Sequence, residues 1–149
     1  MMLATIRRPS SRRSAFTLLE VLVVVAILVI LASVATVATT RYLEDAKKTR
    51  AQLGCRGIAQ AIEAYKTAPG NPMNEDPTSL QDLLTPPFGG TGFLKNGQED
   101  LIDPWNQPYQ MTQFQQGDGS VIIQVFTRST NDQVPISQFG IGPNSRVNQ

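Results

Sequence analysis

Histidine is absent from these 149 residues, cysteine occurs once, and charged residues make up only 17% of the chain. Without imidazole there is no Ser-His-Asp or Cys-His nucleophile and no His-ligated zinc. The lone Cys55 cannot close an internal disulfide. Basic side chains are scarce late in the chain, where only Arg128 and Arg146 follow Lys95. That scarcity argues against a nucleic-acid-binding surface in the C-terminal half. No carboxylates cluster at a spacing suited to acid/base work, and no phosphate-cradling glycine loop is present. An enzyme is therefore not expected. The length suits one ordinary domain, or a smaller domain joined to an apolar anchoring segment.

The charges that are present are unevenly placed. Thirteen Lys and Arg stand against twelve Asp and Glu, but four of the arginines (Arg7, Arg8, Arg12 and Arg13) fall within the first fifteen residues. The remainder carries nine basic and twelve acidic side chains, a formal charge of −3. Directly after this basic start, Val21 to Thr40 reads VLVVVAILVILASVATVATT, twenty residues without a charge. At ~1.5 Å per helical residue this covers roughly 30 Å, the hydrocarbon thickness of a bilayer. A cleaved secretory signal has a shorter apolar core, roughly 7–15 residues, followed by a small-residue cut site. This run is too long for that and continues into a charged helical pattern. The positive-inside rule places the Arg-rich end in the cytoplasm and the C-terminal part outside it, with the contrast reduced by Arg41, Lys47 and Lys48.

Glu20 borders the apolar run. An acidic side chain in the bilayer costs about 2.5–3.5 kcal/mol on insertion scales, so it needs an interfacial position or a cationic partner. The residues alone leave both readings open. The stretch Arg13-Ser14-Ala15-Phe16-Thr17-Leu18-Leu19-Glu20 resembles the class III signal of type IV pilins and pseudopilins: a basic leader, a small residue, then Phe-Thr-Leu-x-Glu ahead of an apolar span. The resemblance implies cleavage between Ala15 and Phe16 by a prepilin peptidase, where Ala15 replaces the usual Gly, and methylation of the new Phe16 amine. It also implies that Glu20 attracts the Phe16 amine of a neighbouring subunit during assembly. Many family members carry a proline inside the span, where this chain has Val37.

Past Thr40, RYLEDAKKTRAQLGCRGIAQAIEAYKT keeps a helical period, with Tyr42, Ala46, Thr49, Leu53, Gly57 or Ile58, Ala61 or Ile62, and Tyr65 along one stripe. Glu44 and Lys48 stand at i,i+4 in the favourable orientation for a helix-surface pair. No proline interrupts Phe16 to Ala68, so one helix of about fifty residues is expected. Its stripe predicts packing on its own domain, with Gly54 and Gly57 allowing close approach of the head or a bend, and Cys55 a small packed residue. Pro69-Gly70-Asn71-Pro72 ends the helix. Asp76-Pro77 with Leu80, Leu83 and Leu84 reads as a short capped helix, and 85–103 as a loop tethered by Phe88, Phe93 and Leu94. Strands are expected over Tyr109 to Phe114 and Val121 to Thr127, joined by a hairpin whose Gly117-Asp118-Gly119 supplies positive φ. The tail from Ser129 to Gln149 is polar and turn-rich.

The expected fold is α+β: a leader over 1–15, an apolar helical half over 16–40, an amphipathic continuation over 41–68, and a small head with an antiparallel sheet over 69–149. Asp103-Pro104-Trp105-Asn106-Gln107-Pro108-Tyr109 resembles the Asp-Pro-Trp-Gly-x-x-Tyr segment of the major pseudopilin of type II secretion, with Asn106 in place of Gly. Trp105 is expected as a core residue under the sheet. The resemblance implies a structural subunit of a periplasmic pseudopilus, with a homopolymer of identical subunits, other pseudopilins, the inner-membrane assembly platform and the lipid bilayer as partners. Before assembly the chain would sit in the inner membrane with a periplasmic head. A type IV pilin for adhesion, motility or DNA uptake keeps the same fold, and a tethered non-pilin domain is the third reading.

Major pseudopilins of that system bind calcium in the loop after the last long strand. The corresponding stretch here begins TRSTNDQVPIS, with Ser129, Thr130, Asn131 and Asp132 as oxygen donors but one carboxylate. The family's later acidic pair is missing from Ser137 to Gly140. Calcium takes six to eight oxygens and weakens as ligand charge falls, so an ordinary hydrogen-bonded loop is the expectation, with calcium on Asn131 and Asp132 as the alternative.

Overall fold

A computed structural model describes residues 16–117 and 119–147. The chain divides into two compact units at Thr40/Arg41. One helix, α1 (Leu18–Lys66), runs 49 residues without interruption, in agreement with the uninterrupted helical period. Its first turn is fixed by Thr17: the Glu20 amide donates to the Thr17 hydroxyl at 3.2 Å and to the Thr17 carbonyl at 3.1 Å. The side chains of Leu18 to Val34 are exposed along this apolar half. The few hydroxyls within it are satisfied internally, since Ser33, Thr36, Thr39 and Thr40 donate to carbonyls three or four residues back at 2.7–3.2 Å. Polar atoms thus survive in an otherwise apolar helix because the helix itself supplies their partners.

In the second unit, α1 contributes Ala51, Cys55, Ile58, Ala61, Ile62 and Tyr65 to the core. The expected stripe is correct from Ile58 onward and displaced before it, because Tyr42 is 76% and Leu53 59% exposed. The half-buried residues that continue the inward row toward the N-terminus are Glu44 and Lys48. With Ala51, Cys55, Ile58, Ile62 and Tyr65 they form an unbroken alternation of four- and three-residue steps. A search for apolar residues misses two charged members of this row.

Three strands form one antiparallel sheet in the order β1 (Gln110–Gln115), β2 (Val121–Arg128), β3 (Pro135–Ser137). Gln110 pairs with Phe126 and Gln115 with Val121 across the hairpin, and Phe126 pairs with Ser137 on the other side. The turn closes through Gln116 N–H to the Ser120 carbonyl at 2.7 Å, with Gly119 at φ 86° and Gly117 not in the left-handed region. Asp118 lies outside the described residues.

The third strand corrects the reading of the tail as turns alone. Polar side chains extend its short ladder: just past β3, Gln138 accepts from the Val125 amide at 2.7 Å and donates to the Ile123 carbonyl at 2.9 Å, continuing the contact with β2. Ser137 Oγ and Gln124 Nε2 both donate to the Ser145 carbonyl, at 2.6 and 2.8 Å. The loop over 85–103 also contains a 3-10 turn, Gly97–Leu101. The short helix expected after Asp76-Pro77 is a 3-10 turn, Leu80–Leu83, capped by Ser79 and Asp82. Leu83 and Leu101 are buried, while Phe88 and Phe93 pack on Tyr65 with ring centroids 5.0 and 5.6 Å apart. Each such aromatic pair adds about 0.5–1.5 kcal/mol to the area it buries.

Candidate functional site

Two groups of residues carry the chemistry expected of the chain, one in each unit. In the first, Phe16 is 78% exposed at the start of the described chain, immediately ahead of α1. Glu20 lies at the third helical position, within the first turn of α1, where the helix dipole favours a carboxylate. Ala15, the residue expected on the other side of the cut, lies outside the described residues. Thr17 is a participant that the sequence reading passed over. The signal was present as Thr17-Leu18-Leu19-Glu20, the S/T-x-x-E pattern that starts helices, and the structure forms its Thr-hydroxyl half.

In the second unit, Glu44 and Lys48 project from successive turns of α1 onto two loops. The Glu44 carboxylate accepts from the Trp105 indole N–H at 3.1 Å and the Ser129 hydroxyl at 2.9 Å on Oε1, and from the Asn131 amide at 2.9 Å on Oε2. The Lys48 ammonium donates to Asp132 Oδ2 and forms an ion pair with it. The expected Glu44–Lys48 surface pair is thus replaced by contacts to residues 61 to 87 positions further along. Trp105 is half-buried and clamped at the edge of the head, which corrects its placement under the sheet.

The Asp-Pro-Trp segment is a knot built on Asp103. Its Oδ1 accepts the amides of Trp105 and Gln107 at 2.9 and 2.8 Å, and its Oδ2 accepts the Thr127 hydroxyl of β2 at 2.5 Å. Asn106 has φ 65°, the left-handed conformation that a glycine adopts freely and that asparagine tolerates. Tyr109 then donates its hydroxyl to the Ala51 carbonyl of α1 at 3.3 Å. A Cβ on Gly54 would meet that hydroxyl oxygen at 2.2 Å, so close approach is the reason for glycine there. Gly57 faces open space and has no such reason.

The calcium candidates Asn131 and Asp132 fall in the loop that Glu44 and Lys48 hold. The arrangement is a poor fit for calcium: the loop's one carboxylate is paired with an ammonium, and the other oxygens that Ser129 and Asn131 offer are neutral. Among the described residues no group of three or more His, Cys, Asp or Glu side chains is arranged to hold a metal. The Lys48 ammonium, hydrogen-bonded to Asp132, holds that carboxyl at about 2, well below the usual range, with the Ser129 hydroxyl adding to the effect.

Comparison with protein families adds two matches. Residues 10–36 match the prokaryotic N-terminal methylation motif, which covers Ala15, Phe16 and Glu20. Residues 38–133 match type II secretion system (T2SS), protein G, from the continuation of α1 to the loop held by Glu44 and Lys48. The chain belongs to the type II secretion system protein G family. It is a pseudopilin, a subunit of the type IV pilin-like class, and the family is one of structural subunits rather than enzymes. No curated protein and no solved structure matches the chain. The apolar half of α1 is long and apolar enough to cross a membrane and is a candidate single-pass anchor for the pseudopilin.

Proposed function

We propose that this pseudopilin is processed between Ala15 and Phe16, methylated on the Phe16 amine, and polymerised into a periplasmic pseudopilus that drives type II secretion. The observation that carries the reading is the run Phe16-Thr17-Leu18-Leu19-Glu20 at the head of an apolar helix whose side chains are exposed from Leu18 to Val34. Such a face is covered by lipid in the membrane and by neighbouring helices in a filament. Glu20 is unfavourable in lipid alone. In the filament its carboxylate meets the Phe16 amine of a neighbouring subunit, and low dielectric strengthens the pair as subunits come into register. Thr17 supports both steps by fixing the helix start, which sets the distance from the new amine to Glu20.

Coexpression with a prepilin peptidase followed by intact-mass measurement tests processing. The expected product begins at methylated Phe16, and an uncut chain counts against the reading. Glu20→Ala is expected to be cut normally while incorporation into filaments falls to background, and wild-type assembly of that variant would refute the pairing. Deleting the gene in the native cell separates the tasks. Secreted protein trapped in the periplasm supports secretion, whereas loss of surface fibres assigns the subunit to a type IV pilus.

A further inference from the structure

The loop after β2 is fastened to α1 by a charge arrangement complete within the chain. Asp132 carries the loop's carboxylate, and the cation facing it is Lys48, whose side chain is 15% exposed against 43% for Asp132. One turn earlier, Glu44 takes hydrogen bonds from Ser129 and Asn131 of the same loop and from Trp105 of the Asp-Pro-Trp knot. The loop backbone closes on itself as well, through Ser129 N–H to the Val134 carbonyl and Gln133 N–H to the Ser129 carbonyl, at 3.0 and 3.1 Å.

We propose that the Lys48 ammonium is the resident counter-cation of this loop, holding residues 129–134 where the family resemblance implies calcium, so that the head reaches its folded form independently of divalent metal. A calcium ion approaching Asp132 would meet an ammonium already seated on that carboxylate. The repulsion between the two cations and the loss of the ion pair both oppose binding. The loop offers no second carboxylate to offset this, because the other carboxylate touching it, Glu44, is satisfied by three neutral donors. A covalently attached cation also needs no free concentration of ion in the periplasm. Lys48 and Asp132, 84 positions apart, thus form a cross-link between helix and loop that is present whenever the head is folded.

The test is the thermal midpoint of the full-length chain in detergent micelles, followed by Trp105 fluorescence, in millimolar calcium and in chelator. The wild type is expected to melt at the same temperature in both. Lys48→Met is expected to melt roughly 2–4 °C lower, with Lys48→Arg restoring most of the loss. A rise of the wild-type midpoint on adding calcium, or a Lys48→Met midpoint equal to the wild type, overturns the proposal. If Lys48→Met does not fold, Asp132→Asn removes the same pair from its exposed end, and a wild-type midpoint there is equally fatal. The readout is head stability without assembly, so a failure here leaves the filament reading untouched.

Discussion

Two glycines within two positions of the same cysteine have opposite roles. Gly57 sits in an exposed helical position with open space around its α-carbon, and Gly54 lies against the Tyr109 hydroxyl. Replacing glycine by alanine within a helix is worth about 0.5–1 kcal/mol when nothing else changes. Gly57→Ala is accordingly expected to raise the stability of the head by about that amount. At Gly54 the new methyl would displace a rigid aromatic ring and its bond to the Ala51 carbonyl. Overpacking of this kind costs about 1–3 kcal/mol and outweighs the helix gain. Gly54→Ala should lower the midpoint of thermal or urea unfolding while Gly57→Ala raises it, and equal shifts in both would contradict the close approach. The pair reads identically in sequence, because spacing says nothing of which helix face meets Tyr109. Asn106 is more legible: a family position for glycine filled by asparagine implies a left-handed residue, and its φ of 65° agrees.

Within α1, apolar periodicity located the inward face correctly from Ile58 to Tyr65 and incorrectly before it, where Ala51 and Cys55 rather than Thr49 and Leu53 turn inward and the row then becomes charged. Glu44 and Lys48 continue that row because the two loops they meet, around Trp105 and Ser129 to Asp132, offer hydrogen-bond donors and a carboxylate rather than apolar surface. Glu44→Ala would leave three donors without their acceptor. Hydrogen bonds to a charged group are worth roughly 1.5–3 kcal/mol each, and their shared acceptor makes the losses less than additive. We expect a destabilisation of about 2–3 kcal/mol, accompanied by a red shift of Trp105 emission as the indole gains water. Glu44→Gln should retain much of the stability, since an amide oxygen accepts the same bonds more weakly. The strand β3 was missed for a related reason: it is only three residues long with one buried apolar side chain, Ile136, and the bonds of Gln138, Ser137 and Gln124 to backbone groups that hold its surroundings come from polar residues that resemble a loop in one dimension.

For the molecule as a whole, pH separates the polar fastenings from the apolar core. Asp132 is held at about 2 by Lys48, against an unfolded value of ~3.9. Asp100 is also lowered, chiefly by the Asn96 amide and side chain, and Asp82 is lowered because the Ser79 and Thr78 donors outweigh the cost of its burial. Groups with depressed folded values stabilise above the unfolded value and lose that contribution as pH falls through the folded one. The head should therefore keep constant stability from neutral pH down to about 4 and weaken between about 4 and 2. Asp132 is more than a third exposed, so screening limits its share to about 0–1 kcal/mol. Asp132→Asn should flatten part of that acid limb in midpoint-versus-pH curves, and an unchanged limb would locate the titration at Asp82 and Asp100.

The linear order of residues settled what depends on local runs: the uncharged span, the Phe-Thr-Leu-x-Glu signal, the length of α1 and the hairpin. A helix start, an apolar stretch and a tight turn are each specified by a few adjacent side chains, so they can be read before any fold is known. Only the tertiary structure decided which row of α1 turns inward, which of two glycines is crowded, and where Glu44, Lys48 and Trp105 find partners. Those outcomes depend on groups 58 to 87 positions away being brought within hydrogen-bonding distance. A charge on a helix reads as solvated until the loop that neutralises it is in place. Lys48 is the plainest case: half of an apparent helix-surface pair in sequence, and in the folded head the cation that holds Asp132.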